Sequence, residues 1–417
     1  MLINRPLKNL LSIYIVFALL YGSIHIIYGF GPNLNDFNAP IWMVLSRDVV
    51  FFLTICTLAL FSRSITPPKD LFILIVIFFG LVLISTMHMH ADLIGHLHHN
   101  IRNLLMYSLF LIIIPALKLP TSSINFLFNV FIVAVAIVAI VAIITKYNNF
   151  NLYYGRVVST VGNPNSLAAV LCLGILMITP KIIMKNLQIN KREIGFLSIS
   201  LFALFLTGSF SNFALLLTAI VLQFAIIGKF KLIDLSMVFF YTCLFLSLFS
   251  FLFYLGELDS TVNRFYDIFV EANGTSVVGR INQYQELFAF DSAIELLFGK
   301  FGYYSTHDGM YIQLIQNNGL IGLVLYVALM FYIIRKLYFL FKYLIINQKY
   351  KKNITCFLLG FLTFSLSELL LGFFATAIFY RFPLNAIFFL FSGLMFIEYI
   401  KIKRLALIQS GAHLQSS

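Results

Sequence analysis

Residues 124–144 read INFLFNVFIVAVAIVAIVAII, a stretch without one charged side chain and with Asn125 and Asn129 as its only polar groups. A helix needs about 20 such residues to cross the hydrocarbon of a bilayer. A helix that is apolar on every face must be solvated all round by lipid or by other helices. Lys118 precedes the run and Lys146 follows it, as expected of a span held between two aqueous surfaces.

The same pattern recurs outward from this segment. Apolar runs centre on 10–28, 41–62, 71–87 and 103–117 before it, and on 164–180, 194–208, 212–228, 234–255, 319–341, 354–375 and 384–400 after it. The runs at 194–208 and 212–228 are close enough to form a tight hairpin instead of two full spans. Of the 417 residues, 61% are hydrophobic and 11% charged. No soluble core hides that much apolar surface. The expected fold is all-α: a polytopic transmembrane helical bundle of about twelve spans, forming a single integral membrane domain over residues 1–417. The first run follows Arg5 and Lys8 as a signal peptide would, but it continues to about Tyr28 without an obvious small-residue cleavage site, and reads as a retained span.

The net charge of +12 does not point to nucleic acid, because the basic residues flank apolar runs in small groups and form no stripe. With the N-terminus inside, twenty Lys and Arg fall on the cytoplasmic side and seven on the other, with Arg47 inside the second span. That asymmetry predicts cytoplasmic termini. Cys56, Cys172, Cys243 and Cys356 all lie in apolar runs, so the loops lack a disulfide or a thiolate metal site.

One loop is too long for a connector. Residues 256–318, between the ninth and tenth runs, fall on the outer side and hold eight of the sixteen carboxylates. Ile281, Tyr284, Leu287, Phe288, Ile294 and Leu297 recur at helical spacing, which predicts an amphipathic helix over 281–298 lying on the membrane surface. Neither a fixed-period repeat nor paired broken helices of a transporter are visible.

Two outer segments carry chemistry. Residues 153–168, YYGRVVSTVGNPNSLA, offer Asn163 as a helix cap, Pro164 for the first turn, and exposed amides near Arg156 as a place for an anion. A capped helix start with a snorkelling Arg explains the same residues without a ligand. Residues 301–322 read FGYYSTHDGMYIQLIQNNGLIG, in which His307 could take a proton from a hydroxyl acceptor. A lone loop histidine is more often structural.

An Arg ahead of GNPNSLA, a large outer loop with Gly279 and Arg280, then His307 followed by Asn318, Gly319 and Gly322 together resemble the bacterial O-antigen ligase and polymerase family. The resemblance runs from about residue 124 to 345, with the flanking spans alike only in hydropathy. It implies transfer of a glycan from undecaprenyl pyrophosphate without a metal, nucleotide or other cofactor. His307 resembles the family's catalytic histidine, stripping the attacking hydroxyl. Arg156 and Arg280 would meet the pyrophosphate, since guanidinium forks bind phosphate oxygens bidentately. Asn163, Asn165, Tyr303, Tyr304 and Asp308 are expected to contact substrate, and a single displacement would invert the anomeric centre. The chain departs from the family between the seventh and eighth runs, where TGSFSNFALL has Phe210 and no Arg in place of a Ser and Arg pair. Arg264 or Arg381 are the expected substitutes.

The resemblance therefore implies a surface-polysaccharide polymerase in a bacterial inner membrane, with its site facing the periplasm or cell exterior. Its expected partners are a lipid-linked oligosaccharide, membrane lipid and a chain-length regulator, and no nucleic acid. A ligase of the same family, delivering the glycan to lipid A core or protein, is the nearest alternative. A secondary transporter or lipid-linked oligosaccharide flippase is the alternative of another class. A glycosidase is disfavoured, because no pair of carboxylates can be placed across a bond.

Other polar residues stand apart. His88, His90, His96, His98 and His99 with Asp92 could hold zinc on a helix face, although a polar interfacial loop demands no metal. Arg47, Asp48 and Glu368 sit within apolar runs, where ionisable groups are costly, and are expected to face the protein interior or a wet cavity.

Overall fold

The structure is a computed structural model that describes residues 4–21, 41–62, 69–87, 106–150, 152–153, 156–161, 163–184, 190–228, 290–300, 310–346, 352–372 and 382–414. The described chain is almost entirely helical. Its elements are α1 (Asn4–Leu20), α2 (Ile41–Phe61), α3 (Lys69–Met87), α4 (Leu109–Ile113), α5 (Thr121–Tyr147), β1 (Leu152–Tyr153), β2 (Arg156–Val157), α6 (Pro164–Ile183), α7 (Lys191–Leu206), α8 (Phe210–Ile227), α9 (Ala293–Phe298), α10 (Met310–Ile346), α11 (Lys352–Leu371) and α12 (Leu384–Leu414).

Among the described residues six helices, α5, α6, α8, α10, α11 and α12, are long and apolar enough to cross a membrane. That architecture is compatible with a multi-pass membrane protein. Most of the expected apolar runs fall on helices; the count of about twelve spans is not established among the described residues, since the run at 234–255 lies outside them and residues 106–117 form only the short helix α4 and a turn. After α4 the chain tightens into a 3-10 turn at Ile114–Ala116, because Pro115 supplies no amide to continue the helix.

The outward surface is lipid-like. Leu60 is 86% exposed, Ile346 68%, Val324 64% and Val133 60%, with Phe52, Ile77 and Phe331 likewise exposed along α2, α3, α5 and α10. A soluble monomer does not carry apolar surface on this scale. α6 and α11 are by contrast buried along most of their length. They form the centre of the bundle, packed on each other and on α8, while α5 joins α1 and α7, and α10 packs on α3, α9 and α11. Lipid gives helices no hydrophobic reason to associate, so close backbone approach and interhelical hydrogen bonds carry the packing. Gly360 of α11 lets the Leu176 carbonyl of α6 lie where a β-carbon would be. Beside it, Gln223 of α8 donates to the Leu176 carbonyl at 3.1 Å and to Thr363 at 3.3 Å, and accepts from Thr179 at 2.8 Å.

Polar groups collect at the helix ends. At one end Lys8 lies over the Phe126 ring, Lys181 pairs with Glu193, and Lys401 donates to the Leu119 carbonyl and to Glu398, each at 2.7 Å. Thr121 at the start of α5 donates to the same Glu398 at 3.0 Å. Asn163, Thr207 and Leu371 mark the opposite end, where the candidate site lies.

α10 departs from the expected span. It starts at Met310, ahead of the apolar run at 319–341, and is broken at Gly319, whose φ of 67° and ψ of −174° are open to glycine alone. The part before the break is buried although it carries Gln313, Gln316, Asn317 and Asn318. Of the amphipathic segment expected over 281–298, the described portion is α9, which is capped by Ser292 and leaves Ile294 and Leu297 exposed.

Candidate functional site

The segment leading into α6 is pinned before it reaches the helix. β1 pairs antiparallel with β2, with Tyr153 opposite Arg156. Ser159, at a left-handed φ of 48°, donates its hydroxyl to the Val138 carbonyl of α5 at 2.7 Å. Thr160 donates to the Leu19 carbonyl of α1 at 2.8 Å. These bonds to two different helices fix the approach to Asn163.

Asn163 caps α6 as its spacing from Pro164 predicts. Its side-chain oxygen accepts from the amides of Asn165 at 2.9 Å and Ser166 at 3.3 Å. Those two amides are thereby used by the cap, which leaves less of the helix terminus for an anion than the sequence implies. Asn163→Ala should cost about 1 kcal/mol and lower the melting temperature by about 2 °C. Asn163→Asp restores the acceptor and should melt no lower than wild type, as thermal unfolding in detergent would show.

Arg156 is 7% exposed and sits under this turn. Its Nε donates to the Thr207 carbonyl at 2.6 Å and its Nη2 to the Asn165 side-chain oxygen at 2.8 Å. Both acceptors are neutral, so these two bonds hold the guanidinium without cancelling its charge. Ser209 donates to the same Asn165 oxygen at 3.0 Å, and Asn212 donates to the Ser209 hydroxyl at 2.8 Å and to the Asn165 carbonyl at 3.2 Å. Thr207 and Ser209 lie in the three-residue link between α7 and α8. The GNPNS and TGSFSN segments, some fifty positions apart, are thus one hydrogen-bonded unit. The sequence has no signal for that pairing beyond the unusual number of small polar residues in both.

The unit continues inward. Cys172 of α6 donates its thiol to the Asn212 carbonyl at 3.3 Å. Glu368 lies on α11, which packs on α6, one residue before the Leu369 carbonyl that Tyr311 of α10 meets. Tyr311 ties the start of α10 to the end of α11: its hydroxyl donates to the Leu369 carbonyl and its amide to that of Gly372 at 3.3 Å. Glu368 is wholly buried, and neither carboxylate oxygen has a hydrogen-bond partner among the described residues. It was legible in the sequence as a costly intramembrane acid.

Arg47 is also interior, 4% exposed, 3.5 Å from Asp48 and 4.9 Å from the centre of the Phe382 ring. It thus faces the protein interior, as its place within an apolar run predicts. Of the other residues singled out, Arg264, Arg280, Tyr303, Tyr304, His307, Asp308 and Arg381 lie outside the described residues, as do Tyr154 and the histidines from His88 to His99. Only the backbone of Tyr153 is described. Among the described residues no three His, Cys, Asp or Glu side chains converge. In comparisons with known proteins the chain matches no family model, no curated protein and no solved structure.

Proposed function

We propose that this chain is a membrane glycosyltransferase that extends a surface polysaccharide, moving a growing glycan from undecaprenyl pyrophosphate to a sugar hydroxyl of another lipid-linked unit. The observation that carries the reading is the hydrogen-bonded unit of Asn165 with the buried Arg156, Ser209 and Asn212. It joins the GNPNS segment, which resembles the O-antigen ligase and polymerase family, to the α7–α8 link at one end of the bundle, where α10 also begins three residues after His307. A guanidinium at this end of the bundle suits a pyrophosphate leaving group, whose charge has to be met as the bond breaks. Arg280, with Arg264 or Arg381, would complete that contact, and His307 would serve as base. The inside-positive rule assigns the Lys181 end to the cytoplasm and the Arg156 end to the periplasm or exterior of a bacterial inner membrane. A ligase would use the same donor site with another acceptor.

The test is a gel of surface polysaccharide from a strain lacking the gene, with wild type and His307→Ala each returned. A single-repeat band that only wild type extends into a ladder supports polymerisation with His307 as base. An unchanged ladder in the deletion strain sinks it.

One observation favours a second reading. An unpartnered, wholly buried carboxylate such as Glu368 is also what a secondary transporter or lipid-linked oligosaccharide flippase uses in a membrane. Loss of oligosaccharide flipping in the deletion strain, with polymerisation of supplied outer-leaflet substrate intact, would move the assignment there.

A further inference from the structure

The later parts of α10 and α12 pack on each other. Tyr332 meets Phe396 edge to face with ring centres 6.3 Å apart, and further along both helices Phe339 meets Tyr399 at 5.8 Å. Because the two contacts advance together, the helices run in the same direction, toward the end that Lys401 marks. Lys336 is held between them. Its Nζ lies 5.1 Å from the centre of each tyrosine ring, Tyr332 and Tyr399, and donates to the Tyr399 hydroxyl at 3.3 Å. Lys342 follows Phe339 by three positions and Lys403 follows Tyr399 by four, so each lies about one turn beyond that contact on the face that makes it. Both are exposed. Three cations therefore converge on one seam between two helices, within about 9 Å along the axis.

Like charges set this close repel unless acids or an outside anion meet them. The acids are not at hand. α10 carries none, and α12 carries Glu398 alone, which is 3% exposed and accepts from Thr121 and Lys401. α3, which packs on α10, brings Asp70 with Lys69 beside it and so adds no net charge. Basic residues scattered at a membrane surface need only diffuse counter-ions. Convergence on a seam, with one lysine clamped between aromatic rings, needs a placed one.

The side chains around the seam identify its carrier. Tyr338, Phe339, Ile345 and Leu405 are exposed beside the cations. An acidic peptide would match the charge and leave these groups in water. A phospholipid matches both, with its phosphate on the lysines and its acyl chains on the apolar side chains. We propose that the α10–α12 seam at the Lys401 end binds the phosphate of an anionic phospholipid through Lys336, Lys342 and Lys403. This holds whether or not the chain transfers glycan.

The test follows thermal unfolding of the full chain in a neutral detergent, titrated with dioleoyl phosphatidylglycerol or with dioleoyl phosphatidylcholine, which has no net charge. Phosphatidylglycerol should raise the melting temperature of wild type and phosphatidylcholine should not. Lys336→Gln/Lys342→Gln/Lys403→Gln should need about a hundredfold more phosphatidylglycerol for the same shift, since each cation at a charged surface contributes about fivefold. Lys342→Gln/Lys403→Gln leaves the Lys336–Tyr399 bond in place, should need about twentyfold more, and decides the matter if the triple variant does not fold. Arg5→Gln/Lys191→Gln/Arg192→Gln removes three exposed cations from the same end and should respond as wild type. A control that loses the response as fully as the triple variant would mean diffuse attraction and overturn the seam site. Equal responses of wild type and both seam variants overturn it too, as do no response in wild type and an equal one to phosphatidylcholine. Stabilisation by polyglutamate and not by phosphatidylglycerol would make the seam a protein-docking surface and equally overturn it.

Discussion

Gly319→Ala should leave little folded protein. The position combines two penalties that a substitution cannot relieve separately. Its backbone, at φ 67° and ψ −174°, lies where an alanine is strained by about 1–3 kcal/mol. A β-carbon there would also overlap the Leu297 carbonyl and the Phe298 amide of α9, which are backbone atoms and cannot rotate away. The contact is reciprocal: a β-carbon on Gly299, itself at φ 105°, would lie 2.6 Å from the Asn317 carbonyl. The Lys300 amide donates to the Gln316 carbonyl at 2.7 Å, closing the same joint. Displacing α9 to make room therefore breaks its seat on α10, and the combined cost should exceed about 4 kcal/mol, the exceptional range for one substitution. Size-exclusion profiles and melting in detergent read the outcome. Gly80→Ala and Gly195→Ala, in helices with nothing within 4 Å of the new methyl, are the controls and should be neutral or slightly stabilising. A Gly319→Ala protein that melts with the controls would mean that the break in α10 is not required.

The same joint shows where sequence reading stops in this chain. Hydropathy alone locates the spans because the cost of an exposed backbone in hydrocarbon leaves no alternative to helix: the run at 124–144 lies within α5, and that at 164–180 within α6. The cap at Asn163 was equally legible, being a local contest between one side chain and three amides. Residues 310–318 were not. QLIQNN has neither the apolarity of a span nor the alternation of a surface helix, and reads as loop. It becomes buried helix because the break at Gly319 lets it pack against α11 at Tyr311 and under α9 at Gln316, contacts that no window of neighbouring residues encodes. Arg156 poses the same difficulty. Its partner Thr207 is remote in sequence and is met through a backbone carbonyl, to which residue identity is blind.

For Arg156 the substitutions have to separate holding the fold from meeting a phosphate. Arg156→Ala removes bonds to the Thr207 carbonyl and to Asn165, at 2.6 and 2.8 Å, and should cost about 3 kcal/mol, since hydrogen bonds from a charged donor contribute about 1.5–3 kcal/mol each. It should therefore lower both stability and glycan transfer, and by itself decides nothing. Arg156→Lys keeps the charge but not the planar fork, and an ammonium cannot reproduce two bonds directed from Nε and Nη2. Partial recovery of stability without transfer is expected. Asn165→Asp is the decisive change. It presents a carboxylate to the Nη2 donor that Asn165 now meets, strengthening the bond that holds Arg156 while cancelling the charge that a pyrophosphate would need. A protein that melts no lower than wild type yet fails to extend glycan would place the working element at the Arg156–Asn165 pair. A protein that extends glycan normally would reduce Arg156 to a strut between α6 and the α7–α8 link, and the pyrophosphate would have to be met by arginines elsewhere.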